Sequence, residues 1–445
     1  MMRIEAAVLA ALAMAPLGAK AADLVVWWEK GYYQQEDEAV AEAIAAFEHQ
    51  TGKRVELEQP SQDDMEAKVL AAVEAEQPPD FLFGTNTDYY YGQWAYDDRL
   101  VDLTDAVGHF SDLFDPDALS YATLFDATTG RRALYALPMG FSTHHGHIWR
   151  NLLEQAGFTI DDIPKQWEAF WSFWCDEVQP AVRKATGRDD VYGAGLPMSV
   201  ADDTRNAFEQ FMEAYEANYV TREGELVIDD PEIRRRLIRA MDSYTAIYRK
   251  GCTPPDSVTW SNFDNNKEFH AQAIVMTVNI TLSIPNALRT ERPQDYYKNT
   301  ATIEWPDGAD GQPLAIFTGF FAATAFKAGG HTPLAKEFVR FLVEDGWLAH
   351  WLDFSAERFL SPMPKLLEQP FWLDPSDPHR MAAAMQFLTN PRSYRYSVAS
   401  GDPRHLIVSG ERLWGKAVHR VAADGITPEE AVDEAIARIK QILSE

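Results

Sequence analysis

The chain has 445 residues, of which 46% are hydrophobic and 12% aromatic, enough for two or three domains with large cores. Lys and Arg number 40 against 68 Asp and Glu, so the formal net charge is −28. A negative field of this size argues against nucleic acid and anionic membrane as partners, because it repels both. After the N-terminal residues, no segment approaches the ~18 uninterrupted apolar residues of a membrane span, so we expect no membrane insertion.

The first 21 residues have the pattern of a signal peptide. Arg3 supplies a positive start, residues 6–17 form a short apolar run, and Ala19-Lys20-Ala21 reads as an A-x-A cleavage site. No Cys follows the apolar run, so a lipoprotein anchor is not indicated. We therefore expect residues 1–21 to be removed on export and the mature protein to be periplasmic.

The next sixty residues alternate between strand and helix patterns. Leu24 to Trp28 is a short apolar strand, Asp37 to Gln50 an amphipathic helix, and Arg54 to Glu58 a second strand. Met65 to Ala75 predicts another helix, and Asp80 to Gly84 a third strand. The order β-α-β-α-β is typical of a doubly wound α/β sheet.

The middle of the chain continues this alternation. A strand is predicted to end at Pro138, which cannot donate a hydrogen bond, and Asn151 is placed to cap a helix that Gly157 stops. The aromatics between Trp167 and Trp174 share a helical face, which favours core packing. Residues 263–279 then read as a helix followed by a strand.

The last third contains a predicted strand at 315–325 and helices at 332–343 and 427–443, the last opened by a capping box. The two cysteines, Cys175 and Cys252, are too few for a disulfide scaffold. They could pair in an oxidising compartment or remain as two buried thiols, and the sequence leaves both readings open.

Several short segments of the chain occur in the same order and at the same spacing as in a known protein family. They are LVVWWEKGYY, FEHQTGKRVEL, PPDFLFG, ALYALPMGFSTHHGHIWRNLLEQAG, IPKQWEAF, TGFFAATAFKAGGHTPLAKEFVRFL and FLSPMP. Together they resemble the extracellular solute-binding proteins of ABC importers, of the maltose-binding-protein-like, carbohydrate type. In WRN, Arg150 replaces the family's usual Tyr, so the fold carries over better than the specificity.

The resemblance implies a periplasmic binding protein fold of two α/β lobes, each a doubly wound sheet with flanking helices, and a ligand cleft between them. We expect an N-terminal lobe of residues 22–138 and 279–373 and a C-terminal lobe of residues 139–278 and 374–445. Closure is expected about crossings near Pro138 to Ser142 and Val278 to Ile280.

Catalytic motifs are missing from the sequence: there is no HExxH, G-x-S-x-G, P-loop, C-x-x-C or EF-hand loop. On a strand, His145 and His147 would share a face while His144 points the other way, so the three do not predict a metal site. We therefore predict no enzyme activity, no metal and no cofactor. Because carboxylates are abundant, a glycosidase pair remains an open alternative.

A sugar site needs aromatic faces for the apolar side of the ring and polar groups for its hydroxyls, in a cleft that excludes water. Loops at the C-terminal ends of strands supply this mixture. The resemblance adds Trp414, at the position of a ligand-stacking aromatic. The predicted ligand-binding residues are Glu29, Tyr32, Tyr33, Asn86, Asp88, Tyr89, Ser142, His144, His145, Trp260, Asn279, Thr281, Gly319, Phe320 and Trp414.

The sequence thus predicts a monomeric periplasmic receptor that captures a sugar or sugar-like solute and hands it to the permease subunits of an ABC transporter. A first alternative is the same fold binding a polyamine or a glycerol phosphate. The acidic loops suit a polyamine better, since the candidate loops lack the Arg that a phosphate favours. A secreted glycosidase is the second alternative.

Overall fold

The structure is a computed structural model that describes residues 22–221, 224–316, 318–355, 358–393 and 404–444. The predicted signal peptide lies outside the described residues. Within them, the chain forms two lobes, each built on its own sheet. The predicted α/β class and two-lobed fold are confirmed.

The sheet of the first lobe has five strands in the order β2-β1-β3-β11-β6. The first three run parallel, as expected from the predicted βαβαβ start, and β11 runs antiparallel to β3 and β6. A two-stranded hairpin, β4-β5, lies beside it. The strands are β1 Leu24–Trp28, β2 Val55–Glu58, β3 Phe81–Phe83, β4 Thr123–Asp126, β5 Arg131–Leu134, β6 Ala136–Thr143 and β11 Thr318–Ala325.

The sheet of the second lobe has four strands in the order β10-β7-β9-β8. Only β8 and β9 are parallel; β7 is antiparallel to both its neighbours. The strands are β7 His145–Trp149, β8 Tyr192–Gly195, β9 Ile274–Asn279 and β10 Thr300–Ile303. Strand β8 has two glycines in four residues, and sequence patterning did not predict it.

Helices cover both sheets. They are α1 Gln34–Thr51, α2 Gln62–Glu74, α3 Tyr91–Tyr96, α4 Thr104–Val107, α5 Pro116–Ala122, α6 Arg150–Gln155, α7 Trp167–Ser172, α8 Gln179–Thr186, α9 Asp202–Ala214, α10 Pro231–Arg249, α11 Asp264–His270, α12 Ser283–Glu291, α13 Thr332–Glu344, α14 Trp347–Phe354, α15 Pro364–Leu367, α16 Arg380–Thr389, α17 Arg404–Gly410, α18 Leu413–His419 and α19 Pro428–Ser444. No helix among the described residues is both long enough and apolar enough to cross a membrane.

The buried apolar side chains form one core in the second lobe and two in the first, one on each face of its sheet. The predicted aromatic face of α7 belongs to the second-lobe core, where Trp167 packs against Phe211 with ring centroids 4.8 Å apart. The disulfide Cys175–Cys252 joins two segments of the same lobe, which decides between the two readings of the cysteines. The predicted capping box is present at α19, where Thr427 and Glu430 exchange hydrogen bonds.

Two predicted details of the crossing segment differ from the structure. The chain leaves the first sheet after Thr143, rather than after Pro138, because β6 pairs with β11 up to that residue. Helix α6 begins at Arg150 with Trp149 in the N-cap position, so Asn151 is not the cap. A strand therefore runs directly into the helix without a polar capping residue.

The predicted return to the first lobe at residue 279 also differs from the structure. Strand β10 pairs with β7, and Ile284, Leu288 and Leu314 pack in the second-lobe core, so residues 283–316 lie with the second lobe. Only the short stretch 280–282 reaches back, with Leu282 packed in a first-lobe core. After α16, Phe387 still packs in the first lobe, beyond the predicted boundary at 373. The chain thus crosses at 143–145; Ile316 packs in the second lobe, Thr318 pairs in the first sheet, and α17 packs again in the second-lobe core.

Candidate functional site

A cavity of about 1320 Å³, counting the space at its mouth, lies between the two lobes. The first lobe lines it with residues from the loops after β1 and β3, from the end of β6, from the start of β11 and from helix α2. These residues are Tyr32, Gln62, Thr85, Asn86, Asp88, Tyr89, Ser142, Gly319, Phe320, Phe321, Arg358 and Phe359.

The second lobe lines the opposite wall. One face of helix α9 contributes most of the charge, and α11, α17 and the segment after β9 supply further polar and aromatic groups. These residues are Asp202, Asp203, Arg205, Asn206, Glu209, Asn218, Tyr219, Val220, Asn262, Phe263, Asn266, Asn279, Ile280, Thr281, Ser283, His405 and Ser409. The cavity therefore combines aromatic faces with many hydrogen-bonding side chains.

The loop after β3 is held by a buried carboxylate. Glu29, at the end of β1, is 4% exposed and accepts hydrogen bonds from the Thr85 backbone N–H at 2.7 Å and hydroxyl at 2.8 Å. Burial raises the pKa of Glu29, although the Arg358 guanidinium 3.8 Å away opposes the shift. Glu29 therefore positions the loop that carries Asn86 rather than lining the cavity itself.

A cross-lobe hydrogen-bond network lies where the chain leaves β9. The Asn279 amide donates to Asn266 at 3.2 Å, and its carbonyl oxygen accepts from the Thr281 backbone N–H at 3.0 Å. From the first lobe, Tyr33 donates through its hydroxyl to the Ser283 carbonyl at 2.7 Å. The Tyr32 ring stacks at 6.0 Å on Phe263 of the second lobe. These contacts form one side of the cavity from both lobes.

Helix α9 holds a buried guanidinium at the centre of the second-lobe wall. Arg205 is 4% exposed, donates to Glu209 at 3.3 Å, and lies 3.6 Å from Asp202. It also donates across the cavity to the Tyr89 hydroxyl at 2.5 Å. Burial alone would lower the pKa of Arg205, but Tyr89 and the two carboxylates raise it above its usual range. The group is a permanent cation joining both lobes.

A second bridge between the lobes lies beside the first. Arg412 donates to Asp202 at 3.0 Å and to Glu66 of helix α2 at 3.4 Å. Arg412 adopts a left-handed backbone with φ 52°, which is uncommon for a residue other than glycine. Arg412 directly precedes helix α18 in the chain, and its guanidinium lies between the lobes.

Buried oxygens without a hydrogen-bond partner among the described residues include Oδ2 of Asp203 and Oγ of Ser142, on two side chains that line the cavity. Burial, and then the neighbouring Asp202 carboxylate, raise the pKa of Asp203 to about 7. Gly319 lies opposite Ser142 on β11, where an added Cβ would come within 2.4 Å of Oγ. The glycine thus leaves room for this hydroxyl.

The predicted ligand-binding residues divide into two groups. Nine of them line the cavity: Tyr32, Asn86, Asp88, Tyr89, Ser142, Asn279, Thr281, Gly319 and Phe320. Six do not: Glu29, Tyr33, His144, His145, Trp260 and Trp414. Of the three successive tyrosines, Tyr89 faces the cavity and Tyr91 is buried in the first-lobe core.

Predicted ligand-binding residues that do not line the cavity have structural roles. Trp414 is 1% exposed and packs behind the cavity wall, with its ring 5.6 Å from Phe208 and 6.1 Å from Tyr219. Trp260 is also buried, and its carbonyl accepts from the Ser199 hydroxyl at 2.6 Å. The predicted stacking position of Trp414 is therefore wrong for this structure, because the side chain fills the second-lobe core.

The histidines lie at the crossing between the sheets, away from the cavity. His145 hydrogen-bonds Thr143 at 3.0 Å, and Gln386 of α16 donates to the His144 carbonyl at 2.5 Å. Burial lowers the pKa of both imidazoles to about 3, so both are neutral near pH 7. Among the described residues, no group of three or more His, Cys, Asp or Glu side chains converges on a metal site.

Helix α9, which forms much of the second-lobe wall, was not predicted from the sequence as part of the site. The first four residues of the helix read Asp-Asp-Thr-Arg, and all of its residues after Asp203 are buried. A signal was available, because the helix follows β8 and ligands bind beyond the carboxyl ends of parallel strands. Since β8 was not predicted, the loop and helix that follow it were not considered.

Comparison with solved structures supports the fold. A solute-binding protein from Thermotoga lettingae TMO bound with α-D-tagatose is 17% identical, with a TM-score of 0.76 over 94% of this chain and 99% of that chain. Maltose-bound MalE3 of T. maritima is 18% identical, with a TM-score of 0.74 over 94% and 99%. A sugar transporter of Arthrobacter chlorophenolicus A6 with bound laminaribiose is 12% identical, with a TM-score of 0.75 over 94% and 98%.

A search among curated proteins found no match. The family model described as bacterial extracellular solute-binding protein matches residues 42–382, well over half of the chain. That range contains most of the two sheets and most of both cavity walls. The chain belongs to the bacterial extracellular solute-binding proteins.

Proposed function

We propose that this protein captures a sugar or polyol in the cavity between its lobes and delivers it, in the periplasm, to an ABC importer. The observation that carries the proposal is the composition of the cavity. Aromatic faces from both lobes, such as Tyr32 and Phe263, stand beside amide and hydroxyl side chains such as Asn86, Asn279 and Ser142. Aromatic faces suit the C–H side of a sugar ring, and amides and hydroxyls pair its hydroxyl groups.

The similar structures support the same ligand class. The proteins to which this chain is similar in fold are described with bound tagatose, maltose and laminaribiose. Their low identity means that the fold carries over and the particular sugar does not. We propose binding without turnover, since the matched family consists of binding proteins.

A thermal-shift screen of the mature protein against mono- and disaccharides and polyols tests this function. A ligand present at 100 times its Kd stabilises the folded state by about 2.7 kcal/mol, so we expect a clear rise in Tm for at least one sugar. Incubation of that sugar with the protein, followed by product analysis, should return it unchanged. No shift with any sugar or polyol would reject the proposed ligand class, and protein-dependent cleavage would favour the glycosidase alternative.

We further propose that ligand binding favours the closed arrangement of the lobes. The contacts Tyr89–Arg205 and Glu66–Arg412 join the lobes beside the cavity and can form only when the two walls approach. A ligand shifts such an equilibrium through its higher affinity for the closed form. Small-angle scattering should show a smaller radius of gyration with saturating ligand, and an identical profile would contradict closure.

A further inference from the structure

The cavity has more negative than positive charge. Among the described residues, its lining includes the carboxylates of Asp88, Asp202, Asp203 and Glu209, but only two guanidinium groups, Arg205 and Arg358. Arg358 already pairs with carboxylates behind the wall, at 3.2 Å and 3.8 Å. Arg205 is thus the one cavity cation, among the described residues, that pairs with the lining carboxylates from within the cavity.

Asp203, unlike the neighbouring Asp202 and Glu209, has no cation of the described residues within ion-pair distance. Asp202 is paired with Arg205 and Arg412, and Glu209 with Arg205. No Lys, Arg or His of the described residues lies within 4.0 Å of the Asp203 carboxylate, and its Oδ2 is buried without a hydrogen-bond partner. A buried carboxylate oxygen without a hydrogen-bond partner destabilises the protein, unless a group outside the protein donates a hydrogen bond to it.

An independent observation comes from the first-lobe wall. Ser142 is 1% exposed and lines the same cavity, yet its Oγ has no hydrogen-bond partner among the described residues. At Gly319, opposite Ser142, an added Cβ would come within 2.4 Å of this Oγ, so the glycine leaves the hydroxyl its space. A hydroxyl group can both donate and accept, so Ser142 suits a ligand hydroxyl. The two walls therefore present one carboxylate and one hydroxyl to a common occupant.

We propose that the ligand is a sugar or polyol that carries a protonated amino group, with its ammonium paired to Asp203 and its hydroxyls bound by neutral groups such as Ser142. This inference rests on the proposed function and narrows its ligand class. An ammonium donates up to three hydrogen bonds and carries the charge that the lining carboxylates lack. An anionic sugar would instead meet four carboxylates.

The electrostatics of the site agree with this assignment. Burial and the Asp202 carboxylate raise the pKa of Asp203 to about 7, and an adjacent ammonium would oppose both effects by favouring the charged carboxylate. The net charge of −28 also enriches cations near the protein surface and disfavours anions. A neutral sugar gains nothing from either effect.

The test compares matched probes by calorimetric titration of the mature protein. Each amino sugar, namely glucosamine, galactosamine and the β-1,4-linked disaccharide of glucosamine, is paired with its neutral parent sugar and its N-acetylated form. Spermidine is added as a cation without sugar hydroxyls. We expect at least one amino sugar to bind about tenfold more tightly, or more, than both of its neutral counterparts, which corresponds to ~1.4 kcal/mol.

The variant Asp203→Asn keeps the size of the side chain and removes its charge, so the preference for the amine should fall to about twofold or less. Asp161→Asn, on the exposed surface of the second lobe, is the matched control and should keep the preference. Neutral sugars that bind as tightly as their amines overturn this inference but leave the proposed function intact. Retention of the preference in Asp203→Asn overturns it as well. Spermidine bound more tightly than every sugar overturns both. No binding by any of these probes overturns this inference, and the wider screen of sugars and polyols decides the proposed function.

Discussion

The two walls of the cavity are built in different ways. The first-lobe wall consists mainly of loops at strand ends, and its groups are held by hydrogen bonds such as Glu29 to Thr85. The second-lobe wall is centred on one face of helix α9, where Arg205 joins Glu209 and Asp202 in a buried ion cluster. A wall of loops can change its side chains at small cost to the fold, whereas a wall of buried charges couples recognition to stability.

The largest effect is expected from Trp414, which supports the second-lobe wall from behind. Trp414→Ala should reduce the free energy of unfolding by about 3–5 kcal/mol, because it opens a cavity in the core. Affinity in the folded fraction should change little, since the side chain does not line the cavity. Denaturant melts and calorimetric titration of one preparation measure both quantities. Phe354→Ala, at a side chain 42% exposed, is the control and should cost less than about 1 kcal/mol. If the variant is as stable as the original protein but binds the ligand more weakly, Trp414 contributes to the ligand site after all.

Arg205→Met tests whether the ion cluster couples the second-lobe wall to the fold. Removing one partner of a buried ion pair typically costs about 3–5 kcal/mol, because the remaining charge stays buried and uncompensated. Chemical denaturation measures this loss. In the same lobe, Arg234→Met removes two exposed ion pairs, with Glu429 and Asp433, and should cost under about 1 kcal/mol. If the two variants lose equal stability, the buried ion cluster does not couple the second-lobe wall to the fold.

The contribution of Asp203, on the second-lobe wall, to the free energy of unfolding should depend on pH. With a pKa of about 7 in the folded protein and about 3.9 in the unfolded chain, Asp203 holds a proton in the folded state that the unfolded state has lost. Its contribution to stability therefore falls as the pH rises from about 4 to 7, by no more than ~4 kcal/mol.

Because Asn does not ionise, Asp203→Asn should gain stability relative to the original protein across this window and then remain level above pH 7. Denaturant melts at several pH values, without ligand, measure the difference between the two proteins. Asp161→Asn is the control, and its difference from the original protein should stay flat. A flat difference for Asp203→Asn too would mean that the carboxylate is ionised throughout.

The smallest effect is expected at Ser142, on the first-lobe wall. Since its Oγ has no hydrogen-bond partner among the described residues, Ser142→Ala should change the free energy of unfolding by less than about 0.5 kcal/mol. If the hydroxyl binds a ligand hydroxyl, affinity should fall by about 0.5–1.5 kcal/mol. Thermal melts and titration with the best sugar separate the two. A loss of stability without a loss of affinity would identify Ser142 as a structural residue.

The difference between the walls also explains what the sequence could predict. The first three strands of the first lobe, β1, β2 and β3, were predicted to within one residue at each end, because they are short apolar or alternating segments separated by amphipathic helices. The loops after them follow the rule that ligands bind beyond strand ends, and Tyr32, Asn86 and Asp88, which were predicted in this way, line the cavity. Local pattern was sufficient where local structure forms the wall.

The second-lobe wall depends on information that local pattern lacks. Strand β8 has the sequence Tyr-Gly-Ala-Gly and gives no alternation of apolar and polar residues, so the position of α9 relative to a sheet edge was not predictable. The predicted lobe boundary at residue 279 was wrong for a similar reason. Nothing in the sequence of β10 specifies that it pairs with β7 instead of a first-lobe strand. Trp414 was predicted to stack on the ligand because of its position in a family pattern, but its side chain is buried in the second-lobe core.

The order of strands in the first sheet has a consequence for the folding of this chain while it is being synthesised. Strand β6 pairs within the sheet with β11 alone, and β11 lies between β6 and β3, although the whole second sheet separates β6 from β11 in sequence. While residues 145–316 are emerging, β3 and β6 expose unpaired backbone edges. The first lobe, though first to emerge, can complete its sheet only after the second has passed, so a chaperone that binds exposed strand edges would find this chain accessible for that interval.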